Sequence, residues 1–356
     1  MGGMPHTTEA LVVPSAGAPF RAEQIERRDL RDDDVLIDIA FAGICHSDIH
    51  TVRDEWGAAH YPIVTGHEIA GTVAAVGDSV TRYAVGDRVG VGCLVDSCTE
   101  CEQCKNGFEQ FCEKGAVGTY NSRNYDGEWA AGGYSRQIVV TERMVVRIPE
   151  GIDLDEAAPL MCAGITTYSP LKRWGAGPGR KVAVVGVGGL GHMAVKLAHA
   201  MGAEVTTLSR SMDKADDARA LGASEHLATG DAEAMKAARG RFDLIINTVS
   251  ANLDMEAYLR LLSPFGALVN VGLPDEPYSV RPFAVIGGNK VLTGSQIGGI
   301  AETQEMLDFC AEHGIGATVE TLDASDTTTI DTAYDTVVAG GVRYRYVIDT
   351  STIRPD

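Results

Sequence analysis

Along the first 150 or so residues, apolar and polar positions alternate in short runs such as DVLIDIAFAG (34–43) and AGTVAAVG (70–77), separated by glycine and Gly-Asp turns. A period of two places every second side chain on one face of a strand, so this part predicts an antiparallel, β-rich domain. From about Asp153 the pattern changes. Apolar helical stretches now alternate with short β-branched runs: VAVVG (182–186), VTTL (205–208), DLIINTV (243–249), ALVNVG (267–272) and KVLTGS (290–295). Such alternation predicts parallel strands covered by helices, a doubly wound sheet. Beyond Ser295, AETQEMLDFCAEHG reads as an amphipathic helix with Met306, Leu307 and Cys310 on one face, and YRYVID (344–349) reads as a final strand. No flexible linker precedes this tail, so it is expected to pack back on an earlier domain.

At 356 residues the chain exceeds the size at which one core keeps growing, and two domains are expected. A formal charge of -19 repels phosphate backbones and anionic membrane surfaces, which argues against nucleic acid and membrane partners. The opening MGGMPHTTEALVVP carries no basic start followed by an apolar run and no myristoylation signal. A cytoplasmic protein is the expectation. In a reducing compartment, cysteines two residues apart read as metal ligands rather than as a disulfide framework.

Cys98, Cys101, Cys104 and Cys112 have the spacing C-x2-C-x2-C-x7-C. Four thiolates can enclose one ion tetrahedrally, the closed geometry of a structural zinc site. An iron–sulfur centre shares the opening C-x2-C-x2-C, but its motif continues with x3-C-P, and here Glu113 follows a cysteine seven residues further on. Zinc is therefore favoured. With no open coordination position, this ion braces a polar loop and the chemistry lies elsewhere.

A second constellation is GICHSDIH with Cys45, Ser47, Asp48 and His50, then GHEIAGTVAAVGDSV with His67 and Glu68, then Cys162 in PLMCAGITT. One imidazole and two thiolates match the three ligands of a catalytic zinc. Taken singly, Cys45 and Cys162 among small apolar residues would be ordinary core filling, and His67 a structural histidine. A bound Zn2+ lowers the pKa of an oxygen ligand from ~16 for free water to ~7 in favourable sites, so such an ion would activate an oxygen at its open position. Ser47, two residues past Cys45, places a hydroxyl beside such an oxygen, and His50 follows one helical turn later.

In VAVVGVGGLGHMAVKLAHAMG, Gly186, Gly188 and Gly191 form G-x-G-x-x-G after a strand and at a helix start, with Gly189 and Leu190 between them. In that context the motif predicts a dinucleotide pyrophosphate site. An NAD site would carry an acidic residue about 20 positions on. Here the second strand ends in Ser209, Arg210 and Ser211, with Lys214 three positions later, hydroxyls and cations suited to a 2'-phosphate. NADP(H) is the expected cofactor.

The chain resembles the zinc-containing alcohol dehydrogenases of the medium-chain superfamily, and most closely their cinnamyl alcohol dehydrogenase branch. GHE-x2-G-x5-G-x2-V (Gly66, His67, Glu68, Gly71, Gly77, Val80), GICHSD, the cysteine lobe and GSQIGGIAETQEMLDF carry the resemblance nearly end to end. It implies an α/β architecture: a GroES-like β-rich catalytic domain (1–153 and 298–356) and a Rossmann doubly wound parallel-sheet domain (154–297). It implies two zinc ions per chain, the catalytic one held by Cys45, His67 and Cys162 with Glu68 as an exchanging ligand. Ser47 would pass the alcohol proton through the nicotinamide ribose to His50, and Asp48 would orient His67. Trp56, Tyr120 and Ile297 would line the substrate cleft. The implied activity interconverts primary aromatic or medium-chain alcohols and aldehydes, with aldehyde reduction the favoured direction, in a homodimer or homotetramer. The rivals are a zinc-dependent polyol or secondary-alcohol dehydrogenase and, from another class, a noncatalytic NADP-binding sensor or structural protein.

Overall fold

The computed structural model describes residues 6–274 and 276–355. Residues 1–5, with which the expectation about targeting begins, lie outside them. The described chain divides into two compact units, one formed by the chain up to Cys162 together with that from Gly298 onward, the other by Ala163–Ile297.

In the first unit, β1 (His6–Val12) and β2 (Arg21–Arg27) pair as an antiparallel hairpin. The main sheet is organised by β3 (Asp34–Gly43), which lies antiparallel to β4 (Ile69–Val76); β4 in turn pairs with β5 (Arg88–Val91). A small pair, β6 (Leu94–Asp96) with β7 (Val117–Gly118), flanks the cysteine lobe. Strand β8 (Gln137–Thr141) bonds to the first half of β3, and β9 (Val146–Arg147) lies outside β5. The predicted alternation is visible in β3, where Val35, Ile37 and Ile39 are buried.

The second unit is a six-stranded, wholly parallel sheet of β10 (Lys181–Val185), β11 (Glu204–Ser209), β12 (Glu225–Ala228), β13 (Phe242–Asn247), β14 (Leu262–Asn270) and β15 (Val291–Gly294). Its spatial order is β12-β11-β10-β13-β14-β15, the doubly wound order whose ligand crevice opens where the winding reverses, at β10. Five of these strands match the apolar runs. The sixth, β12, has the sequence EHLA, without β-branched residues, and it is a strand because β11 offers it a parallel partner along Thr206–Ser209. The core of this unit includes Phe242, Ile245, Leu259 and Leu268.

After Gly298 the chain rejoins the first unit. The helix Ile300–Glu312 buries Met306, Leu307 and Cys310 completely, as its periodicity predicts. Strand β16 (Val319–Asp323) pairs with β17 (Arg345–Asp349), and β17 lies antiparallel to the end of β3. The last strand thus reaches the segment that leads into Cys45.

Candidate active site and cofactor site

Gly43 ends β3, and Cys45 caps the helix α1 (His46–Val52) with extended backbone. The Asp48 carboxylate folds back to accept the Cys45 N–H at 2.9 Å. Asp48 is fully buried and serves three further donors: the Gly66 N–H at 3.2 Å, the Tyr134 hydroxyl at 3.0 Å and His67 Nδ1 at 3.1 Å. A carboxylate only accepts, so Nδ1 of His67 carries the proton and Nε2 keeps its lone pair for a metal. Gly66 sets the entry to His67: its φ is +100°, and a Cβ there would sit 2.4 Å from the Tyr134 ring. Tyr134, Gly66 and the Asp48 carboxylate were not linked by any sequence pattern.

Ligand atoms of Cys45, His67, Glu68 and Cys162 all lie within 4.8 Å of one another, and all four residues are buried. Glu68 accepts from the Arg345 guanidinium of β17 through one oxygen, while its Oε2 is buried with no hydrogen-bond partner. Contact with Cys45 pushes the Cys162 thiol well above its ordinary range. Burial raises the Glu68 carboxyl to about 7 even though Arg345 opposes that rise. The Cys45 thiol, by contrast, is held well below its ordinary range by its contact with Cys162. A buried set of two sulfurs, an imidazole nitrogen and a carboxylate, in which Cys162 and Glu68 resist ionisation without a counter-charge and one carboxylate oxygen is orphaned, fits a divalent cation of zinc type. Arg345 belongs to no sequence motif; its one signal is that an arginine opens the otherwise largely apolar strand RYVID.

Ser47 and His50 sit on α1. The Cys45 thiol is 3.7 Å from Ser47 Oγ. His50 Nδ1 meets the Glu55 carboxylate at 2.5 Å, and its ring stacks on Trp56 with centroids 4.8 Å apart. No direct hydrogen bond joins Ser47 to His50 among the described residues. Tyr120 holds its ring 5.6 Å from that of His67, beside the metal-ligand set. Trp56 is about half exposed, and Ile297 ends the second unit with an unusual φ of 32°.

The four lobe sulfurs also fall within 4.8 Å of one another. Zn–S bonds of ~2.3 Å imply sulfur pairs ~3.8 Å apart, and Cys98 and Cys104 stand at 4.0 Å. Backbone N–H groups of Cys101, Cys104 and Cys98 point at the sulfurs of Cys98, Cys101 and Cys112 at 3.4, 3.5 and 3.4 Å. These donors stabilise thiolates: the Cys112 thiol comes down to about 6 through its backbone hydrogen bonds although burial opposes it, while burial pushes Cys104 up to about 12. The short helix α2 (Glu102–Lys105) begins inside this knuckle, and the Glu109 carboxylate accepts from the Ile300 N–H at 3.1 Å, tying the lobe to the helix Ile300–Glu312. The arrangement fits a closed four-thiolate ion.

In the second unit, β10 turns through Gly186 at φ +90° into the helix Gly189–Ala200, capped by Gly188. A Cβ on Gly191 would lie 2.0 Å from the Gly186 carbonyl oxygen, so the turn and helix approach only with glycine at that position. A Cβ on Gly188 would meet nothing within 4 Å, which leaves the backbone open at the positive end of a twelve-residue helix. Leu190 is half-buried in its first turn. The Lys214 ammonium donates to the Val187 carbonyl at 2.8 Å, joining the end of β11 to this turn. Arg210 is exposed, and the Ser211 hydroxyl is taken up by Asp213 at 2.8 Å. Ser209 Oγ bonds the Ser211 carbonyl at 2.8 Å and lies 3.1 Å from His226 Nε2. His226, from the strand EHLA, belongs to no sequence motif.

A family model described as "Alcohol dehydrogenase GroES-like domain" matches residues 31–150, and one described as "Zinc-binding dehydrogenase" matches residues 189–312. The "Probable formaldehyde dehydrogenase AdhA" of Bacillus subtilis (strain 168) is 59% identical over 348 residues, 98% of this chain and 99% of the relative. The "NADP-dependent alcohol dehydrogenase C 1" of Mycolicibacterium smegmatis is 58% identical over 349 residues, again 98% and 99%. Among solved structures, CAD from Helicobacter pylori complexed with NADP(H) superposes with a TM-score of 0.92 at 42% identity, covering 99% of this chain and all (100%) of that one. The chain therefore belongs to the zinc-containing alcohol dehydrogenases of the medium-chain superfamily, in their cinnamyl alcohol dehydrogenase-like branch.

Proposed function

We propose that this enzyme interconverts primary alcohols and aldehydes, aromatic or medium-chain, by hydride transfer with NADP(H), and runs toward aldehyde reduction in the cell. The observation that carries the reading is the buried set of Cys45, His67, Glu68 and Cys162 with the Ser47 hydroxyl 3.7 Å from the Cys45 sulfur. When bound, Zn2+ supplies Lewis acidity toward the alcohol or carbonyl oxygen, and the nicotinamide exchanges the hydride. The chain's residues do the rest. Cys45, His67 and Cys162 would hold the ion, and Glu68, which Arg345 now engages through one oxygen, would serve as an exchanging ligand through the other. In oxidation Ser47 Oγ would accept the alcohol proton while its own hydroxyl proton is handed on toward His50, and in reduction the transfer runs in reverse. His50, fixed at Nδ1 by Glu55, exchanges protons with solvent. Tyr120 and Trp56 give the substrate an aromatic wall.

Gly186, Gly188, Gly189, Leu190 and Gly191 cradle the pyrophosphate, and Ser209, Arg210, Ser211 and Lys214 form the end of the site that meets the 2'-phosphate. Relatives and a solved neighbour named for NADP support that choice. Cys98, Cys101, Cys104 and Cys112 brace the lobe with a second zinc. We further place the enzyme in the cytoplasm as a homodimer. No helix of the described residues is long and apolar enough to cross a membrane. Among the described residues strand β15 is the last of its sheet, and Phe283 and Ile286 in the segment before it, with Phe265, whose N–H bonds the Gly288 carbonyl of that segment at 2.7 Å, are 77%, 63% and 75% exposed, apolar side chains that a second copy would cover.

The test is kcat/KM for NADPH and NADH with one saturating aldehyde such as benzaldehyde. Two charge-assisted contacts to the phosphate are each worth about 1.5 to 3 kcal/mol, so wild type prefers NADPH by about a hundredfold or more. Ser209→Asp with Arg210→Ala narrows or reverses that ratio. A wild type that favours NADH refutes the cofactor assignment.

A further inference from the structure

His226 stands on β12 opposite Thr207 of β11, with 9% of its surface exposed. The Thr207 hydroxyl, itself fully buried, lies 2.7 Å from its Nδ1. On the other side of the ring, Nε2 is 2.9 Å from the Ser211 carbonyl and 3.1 Å from Ser209 Oγ. A carbonyl only accepts, so Nε2 carries the proton and Nδ1 accepts from Thr207. The ring is therefore locked in one tautomer and spans both ends of the Ser209–Ser211 turn.

This geometry has a consequence for the Ser209 hydroxyl. In the structure its proton is spent on the Ser211 carbonyl at 2.8 Å. An ionised phosphate offers only acceptors, so binding it requires that proton to turn outward. The Ser211 carbonyl would then lose a donor, at a cost comparable to a hydrogen bond. The Nε2–H of His226 already reaches the same oxygen and keeps it satisfied.

We infer that His226 is a positioning residue for cofactor selection: it holds the Ser211 carbonyl so that the Ser209 hydroxyl is released to the 2'-phosphate of NADP(H). The inference rests on the NADP(H) reading above. It separates from that reading because NADH, which has no 2'-phosphate, does not need the Ser209 proton.

The experiment measures dissociation constants of NADPH and NADH by nucleotide fluorescence for wild type, His226→Phe and His226→Gln. His226→Phe keeps the ring and removes both nitrogens; NADPH binding weakens about tenfold while NADH loses markedly less. His226→Gln restores a donor near the position of Nε2 and recovers much of the NADPH loss. A measurement on the unmutated protein covers the case in which a variant does not fold: with histidine Cε1 labelling, 2',5'-ADP shifts the His226 resonance and 5'-ADP does not. Equal losses for both cofactors in His226→Phe, an unchanged NADPH constant, or an equal response of His226 to the two nucleotides overturns the inference. A wild type without NADPH selectivity overturns the cofactor reading itself, and this inference with it, whereas retained selectivity in His226→Phe removes only the role of His226.

Discussion

Asp48 shows how one side chain can set several others. Its two oxygens satisfy the Cys45 N–H, the Gly66 N–H, the Tyr134 hydroxyl and His67 Nδ1, so both residues flanking the metal position are fixed by one buried charge. Such a charge is tolerable only because four donors meet it. Ser47 and His50, one turn apart on α1, are oriented by the cap that Asp48 completes. Ser47→Ala should lower the chemical step by about 10^2- to 10^4-fold, and His50→Ala by less, since solvent reaches that ring. Zinc content and NADPH affinity should stay at wild-type levels. A single-turnover rate that is unchanged in Ser47→Ala would remove the hydroxyl from the proton path.

At the scale of elements, the two metal positions differ in what surrounds them. The lobe is a run of turns and one-turn helices with little apolar material, and its order depends on four sulfurs facing backbone N–H groups. The Cys45, His67 and Cys162 set is mounted instead on the end of β3, the start of β4 and the stretch after β9, inside a sheet that has its own core. Removing an ion from each should therefore have different effects. Cys101→Ser should lower the thermal midpoint by several degrees and leave one zinc per chain by elemental analysis. Cys162→Ala should keep fold and NADPH binding with almost no turnover. If Cys101→Ser lost turnover to the same extent while keeping full stability, the division between bracing and chemistry would be wrong.

For the whole molecule, the proposed homodimer rests on the edge that β15 forms among the described residues together with the exposed Phe265, Phe283 and Ile286. An unpaired edge beside apolar side chains exposed to this degree is a liability in a lone protomer, and pairing it with its own copy removes the liability symmetrically. Phe283→Asp with Ile286→Asp should shift the sedimentation coefficient from that of a dimer to that of a 37.7 kDa monomer. A wild type that already sediments as a monomer would sink this assembly.

The chain itself determined what depends on local spacing. The C-x2-C-x2-C-x7-C run, the G-x-G-x-x-G turn and the alternation of helical and β-branched stretches each act within a few neighbours, so spacing carries their meaning. Residue chemistry offers Cys45, His67 and Cys162 as a three-ligand set, but 117 positions separate the first from the last, and the resemblance is what singles them out from ordinary core residues. What tertiary structure alone decided is which distant groups serve these motifs. Arg345 reaches Glu68 because β17 is laid beside β3, 277 residues apart in sequence at the ion pair. Tyr134 reaches Asp48 across 86 residues, and His226 reaches Ser209 across 17 because β12 joins β11. A lone arginine, tyrosine or histidine has no periodicity and no fixed offset to its partner; strand pairing creates the contact, and strand pairing is not written in any one segment.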